Sequence, residues 1–207
     1  MLTTRVDVRG LDSVMQSLND LPDQLRDKAT TAALNKVSQK AKTEMVRAIT
    51  DEYNIKRDEV ASKMRLSGAT KNGLTATLDP FASGYKGRAL NLIHFLDYKA
   101  TNREAKRSKR KRSKQKTGGR DFPVLFFKIK KGEAAKPIPG TFLGNKGRTV
   151  FIRIGNKRLP IKAVSTVGVP QMFNTKNISN RVVDRIMREL PVEFERAAAM
   201  VLVRYSK

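Results

Sequence analysis

Between Lys99 and Arg120 the chain carries eleven basic residues, one acid and no large apolar side chain. A stretch of that kind cannot bury enough apolar surface to offset the entropy of ordering it. Apolar segments flank it on both sides, so it is an internal excursion, a basic loop or arm, rather than a tail. Any fold for this chain must therefore be built around a 22-residue insertion. The tract also localises the charge. The whole chain has 43 Lys+Arg against 19 Asp+Glu, a formal charge of +24 over 207 residues. Residues 1–60 are balanced, with ten of each sign, whereas 99–120 alone contribute a net +10 and 121–207 a net +11.

Composition removes several classes of function. There is no Cys, which excludes a disulfide scaffold, a thiol nucleophile and a cysteine-ligated metal. A single His excludes a multi-histidine metal site. No apolar run approaches the ~18 residues that span a bilayer, and Met1 to Gly10 lacks the apolar core of a signal peptide. These features describe a soluble, intracellularly made basic protein with no membrane role, whose partner is acidic. At 39% hydrophobic, the chain can still build a core.

Hydrophobic periodicity predicts helices, then sheet, then helices. Leu11, Val14, Met15 and Leu18 mark a short amphipathic helix over 11–21. A second helix begins at Pro22, which suits a first turn, and runs to about Thr50. Its apolar face is Leu25, Ala29, Ala33, Val37, Ala41, Met45 (or Glu44) and Ala48, and its other face carries Lys36, Lys40, Lys42 and Arg47. Asn54 is placed to cap a third helix near 56–66. The period then changes to two. Leu74, Ala76 and Leu78 alternate with threonines, and 89–96 is apolar on both faces apart from Asn91 and His94, like a central strand. Beyond the basic tract, Leu125, Phe127 and Ile129 alternate, and the Gly/Asn turns at 144–147 and 155–157 join strands around 142–143, 149–154 and 159–161 as hairpins. Pro160 makes the last of these an edge strand or the start of one. Val183, Met187, Leu190, Phe194, Ala198 (or Ala197), Val201 and Tyr205 form a final helical stripe, which Pro191 interrupts, with a kink or restart expected at Leu190.

The expected fold class is α+β: an antiparallel β-sheet packed against long N-terminal and C-terminal helices, with a basic arm or extended hairpin. We expect a single domain over 1–207. It comprises a helical part at 1–66, sheet at 74–98 and 121–165, the arm at 99–120, and a C-terminal helical part at 170–207. The helix stripes are expected to cover one face of the sheet. Leu92, Phe95, Phe127, Ile129, Val150, Ile152 and Ile154 are the expected sheet core.

Catalytic motifs are absent. The glycines at 140–147 lack the Gly-Lys-Ser/Thr of a phosphate-binding loop. His94 has no nominated nucleophile beside it and reads as structural. Asp184, Glu189, Glu193 and Glu195 fall on one helix, where pairing with Arg181, Arg185 and Arg188 is simpler than holding Mg²⁺. The expectation is a non-enzyme with no cofactor and no metal. The candidate contact residues are Arg103, Lys106, Arg107, Lys109, Arg110, Lys111, Arg112, Lys114, Lys116 and Arg120. They suit an acidic protein surface or DNA phosphates. The tract has no aromatic residue to stack on bases, so any nucleic-acid contact would be indifferent to sequence.

Several features occur together in order: the run from Ala32 to Val37, the segment Tyr53 to Val60, a very basic middle, and Arg158, Leu159, Pro160 and Ile161 leading through Val169 and Pro170 to a helix with Leu190 and Pro191. In this the chain resembles the prophage minor tail protein Z family, the lambdoid tail-completion proteins of tailed bacteriophages. The resemblance implies a structural protein of the virion, assembled in the host cytoplasm and placed at the head-proximal end of the tail. It implies support for tail assembly, head–tail joining and DNA passage. The implied partners are other tail or neck proteins (tail terminator, tail tube, connector) and further copies of itself in a six-fold ring. The competing reading is a basic nucleic-acid-binding protein without sequence preference, which includes non-specific contact with genomic DNA.

Overall fold

The seven-residue face from Leu25 to Ala48 needs something to cover it, and the C-terminal helix supplies it. A computed structural model describes residues 23–79, 89–97, 125–155 and 157–205. The helix expected at 11–21, the ten arm residues from Arg103 to Arg120, Pro22 and Asn156 lie outside the described residues. The chain is α+β and divides into two compact units. Described residues 23–49, 61–79 and 172–205 make the first, and 50–60, 89–97, 125–155 and 157–171 make the second.

In the first unit, α1 (Asp23–Glu52) spans 30 residues, about 45 Å at 1.5 Å per residue. Every residue of the expected apolar face is buried. The last helix, which we label α4 (Lys176–Tyr205), lies antiparallel to it. Ala29 and Ala33 pack on Phe194 and Ala197, with Ala198 and Val201 beside them. Lys28 stands over the Tyr205 ring at 5.8 Å, and Arg181 Nε reaches Glu44 Oε1 at 2.7 Å. Small residues on α1 let the Phe194 ring approach the helix backbone closely. The two stripes, expected on one face of a single sheet, thus meet each other. α4 also runs through Pro191 without a restart. An interior proline costs about 3 kcal/mol, and burial of Leu190 and Phe194 on either side, at ~1.5–3 kcal/mol each, offsets it.

The short helix α2 (Arg57–Ser62) is half the length expected, because Arg65 is already in a strand. That strand, β1 (Arg65–Ser67), pairs antiparallel with β2 (Thr77–Asp79). The Asn35 side chain fixes the turn after β1 to α1, accepting from Ala69 N at 2.7 Å and donating to Ala69 O at 3.1 Å.

The second unit is built from short strands. β3 (Phe126–Phe127) pairs with β4 (Lys136–Pro137). β5 (Thr141–Gly144), β6 (Thr149–Arg153) and β7 (Ile161–Ala163) form a three-stranded antiparallel sheet in that order. Asn145, Lys146 and Gly147 turn β5 into β6 with φ of 50°, 54° and 82°, the left-handed region that favours Asn and Gly. β7 starts just after Pro160 and is an edge, as expected. The segment read as a central strand, 89–96, is instead a 3-10 turn, Leu92–Phe95. The Asn91 side chain accepts from Ile93 N at 3.1 Å and caps it, an alternative to the sheet ladder that Asn readily offers its own backbone. Leu92, Leu96, Leu125, Phe127 and Val150 form the core here, with Ile93 and Ile129 partly buried against it, and Phe95 is fully buried. Ile152 is half-buried, and Ile154 is 55% exposed, so the expected core ends one turn of the pleat earlier. A five-residue helix, α3 (Val169–Phe173), closes the segment, with Val169 buried.

Candidate functional site

Two arrangements on this framework could carry function, one ionic and one on a sheet edge. The first is in the helical unit. Lys40 Nζ lies 2.6 Å from Glu189 Oε2 and 2.5 Å from Glu193 Oε1. One ammonium thus bridges two carboxylates one helical turn apart on α4. Arg185 adds a bond to Glu189 at 2.8 Å and Arg196 one to Glu193 at 3.0 Å. The Glu193 side chain is only 8% exposed. Donation to Glu189, and then to Glu193, holds the Lys40 ammonium above its ordinary range. Donation from Lys40 holds both carboxyls below theirs. These bonds tie α4 to α1, and taking away one partner would leave a largely buried charge uncompensated. The sequence placed Lys40 on the face opposite the apolar one and paired the α4 acids with arginines of their own helix. The Arg185–Glu189 pair follows that pattern and Arg196–Glu193 also lies within α4, while Arg181 reaches Glu44 and Glu193 is shared with Lys40. The i, i+4 spacing of Glu189 and Glu193 was a visible signal. Its partner, more than a hundred residues away in the chain, was not.

The second arrangement is the β5–β7 sheet. Asn91 joins it to the 3-10 turn: its Oδ1 accepts from Val150 N at 2.9 Å and its Nδ2 donates to Val150 O at 3.2 Å. A side chain thus completes the ladder where β6 begins. On the outward face, Phe142 and Phe151 stack with centroids 6.1 Å apart, and the Arg153 guanidinium lies 5.1 Å from the Phe142 ring. Gly144 is required here, since a Cβ would lie 2.7 Å from the Phe151 ring. Arg158, Leu159, Pro160 and Ile161 enter this sheet through the cis Leu159–Pro160 peptide and into β7. Leu159 is 65% exposed. Val169 and Pro170, by contrast, sit in α3, so the structure does not bring the two halves of that sequence pattern together on one strand.

Between Glu133 and Asp184 there is no acidic residue. Within 134–171, that span holds Lys136, Lys146, Arg148, Arg153, Lys157, Arg158 and Lys162. Whole-chain charge counting did not isolate this run, because the denser tract at 99–120 dominates it. His94 Nδ1 lies 3.5 Å from Glu59 Oε2, both part-exposed. Among the described residues no group of three or more His, Asp or Glu is placed to hold a metal, and no helix is long and apolar enough to cross a membrane.

No curated protein and no solved structure matches the chain significantly. The family model for prophage minor tail protein Z matches residues 8–207.

Proposed function

The chain belongs to the prophage minor tail protein Z family, and from that premise we propose that it completes the tail at the end where the head joins. It is a minor tail protein of a prophage, and its partners are other phage tail proteins. In the proposed role it contacts tail terminator, tail tube or connector subunits, follows the six-fold symmetry of a tail as a ring of copies, and leaves a passage for DNA. The single observation that carries this reading is a family match over nearly the whole chain. Physical chemistry is compatible with it. Six copies at +24 each would bring roughly +144 formal charges together, which requires anionic neighbours.

Those neighbours could be protein or genome. Arms lining the channel would place about ten cations per copy on phosphates of DNA that must move past. Arms directed at an acidic tube or terminator surface avoid that drag, so the contact proposed for Arg103 to Arg120 is to protein. Deleting the gene should yield tails that fail to join heads, and restoring it in trans should rescue joining. Tails that join heads normally without it would end the proposal. Density for 99–120 along the DNA channel of an assembled tail would keep the placement but reverse the partner.

The acid-free span from 134 to 183 favours a second reading, a phosphate-binding protein without sequence preference. Random duplex DNA titrated at two salt concentrations separates the two. Tight binding that is lost steeply with salt, and lost on deleting 103–116, supports the second reading.

A further inference from the structure

Among the described residues, the strand β7 is bonded on one side only. Ile154 N donates to Pro160 O at 3.0 Å, Val164 N donates to Val150 O at 2.9 Å, and Thr166 N donates to Leu90 O at 2.7 Å. The even-numbered residues therefore turn their backbone groups inward. By antiparallel alternation, Ile161, Ala163 and Ser165 turn theirs to the opposite side. All three are exposed, and no described residue bonds those groups. An open edge of this kind is ordinarily blunted or covered, because it is a template for another strand. The edge is blunted in part, since β7 has three residues, carries Lys162 and follows Pro160, yet it also presents apolar side chains. Ile161 is 39% and Leu159 65% exposed along it. Lys157, Arg158 and Lys162 flank it, and no acid occurs within 134–171.

We infer that the β7 edge accepts an extended, acidic strand of a partner protein, which adds to the β5–β7 sheet as a fourth strand. Main-chain bonds to Ile161, Ala163 and Ser165 would supply the attachment, and the flanking cations the sign of the partner. A protein strand fits better than duplex DNA. Phosphates would satisfy the cations, but they would leave the edge N–H groups without a matching ladder and Leu159 and Ile161 in water. This inference rests on the reading of the chain as an assembly part and names the chemistry of one partner.

The test uses the full-length protein and a short labelled peptide alternating glutamate with valine, followed by anisotropy. The control is the same peptide N-methylated at alternate residues, which keeps its charge and removes the bonding edge. Ala163→Pro removes one outward N–H, a change edge strands tolerate without unfolding. Lys157→Glu with Arg158→Glu reverses the local charge. The parent peptide should bind about ten-fold or more tighter than the N-methylated one, and both variants should lose that difference. Three outcomes overturn the inference: equal binding of the two peptides, equal binding of a lysine–valine peptide, or self-association abolished by Ala163→Pro without peptide binding. The titration needs no tail, so a failure of the tail assignment would show in head joining and leave this result unaffected.

Discussion

The two units use charge in opposite ways. In the helical unit, cations meet acids across the α1–α4 interface: Lys40 with Glu189 and Glu193, and Arg181 with Glu44. In the strand unit, Lys146, Arg148, Lys157, Arg158 and Lys162 have no ion pair with a described residue, and the sheet they decorate has no acid nearby in sequence. Their packing differs in the same sense. One unit buries a long helical seam of small residues against an aromatic. The other holds a small core beside the Asn91 side chain, which stands in for missing ladder bonds. Paired charge and a long seam are what a scaffold needs. Uncompensated cations on short strands with an open edge are what a contact surface needs.

The largest expected effect tests the seam. Phe194→Ala empties a buried site between Ala29, Ala33 and Ala197 and should destabilise by about 3–5 kcal/mol in denaturant unfolding. Amide protection should fall first in 23–49 and 176–205; a uniform fall would break the distinction between the units. Asn91→Ala leaves the N–H of fully buried Val150 without its partner, takes one of two donors from its carbonyl, which keeps Val164 N, and uncaps the 3-10 turn. It should cost about 2–4 kcal/mol, with lost protection in 89–97 and 149–167. Gly144→Ala forces the Phe151 ring from its place beside Phe142 and should cost about 1–3 kcal/mol, read as a shift in the denaturation midpoint.

The smallest effect at neutral pH is that of Glu193→Gln, and pH reveals it. Glu189 and Glu193 have carboxyls held below their ordinary value of 4.5, so the stability they contribute is complete above that pH. It is lost as pH falls through their folded values. Lys40 is held above its ordinary 10.5, so its share is complete below that pH and is lost as pH rises further. Glu193→Gln should flatten the acid limb of the stability profile. An unchanged limb would mean that the ion cluster does not hold the helices.

The helices were legible in the sequence because a 3.6-residue period over thirty residues leaves few alternatives, and α1 matches the expected face residue by residue. The hairpin of β5 and β6 was equally legible, since its turn carries Asn and Gly where positive φ is required. The 89–96 segment was misread because a short apolar run fits a buried strand or a buried turn alike. Only the bonds of Asn91 to Val150 and Ile93 separate the two. A kink or restart was expected at Leu190, and the helix runs on through Pro191 without a restart, with Leu190 and Phe194 buried on either side. The expected contact residues Arg103 to Arg120 lie outside the described residues, whereas the residues that carry the family-like pattern, Arg158, Leu159, Pro160, Ile161, Val169 and Pro170, are described and divide between the entry to β7 and α3.

By itself, the sequence determined the α+β order, the insertion of a strongly basic tract and the family, since periodicity, composition and the order of short motifs are properties of the chain as written. Tertiary structure alone decided that Lys40 bridges Glu189 and Glu193, that Asn91 completes β6, and that β7 has one edge with no partner among the described residues. Each of these depends on which distant residues become neighbours. That is set by how whole faces pack, which no local spacing encodes.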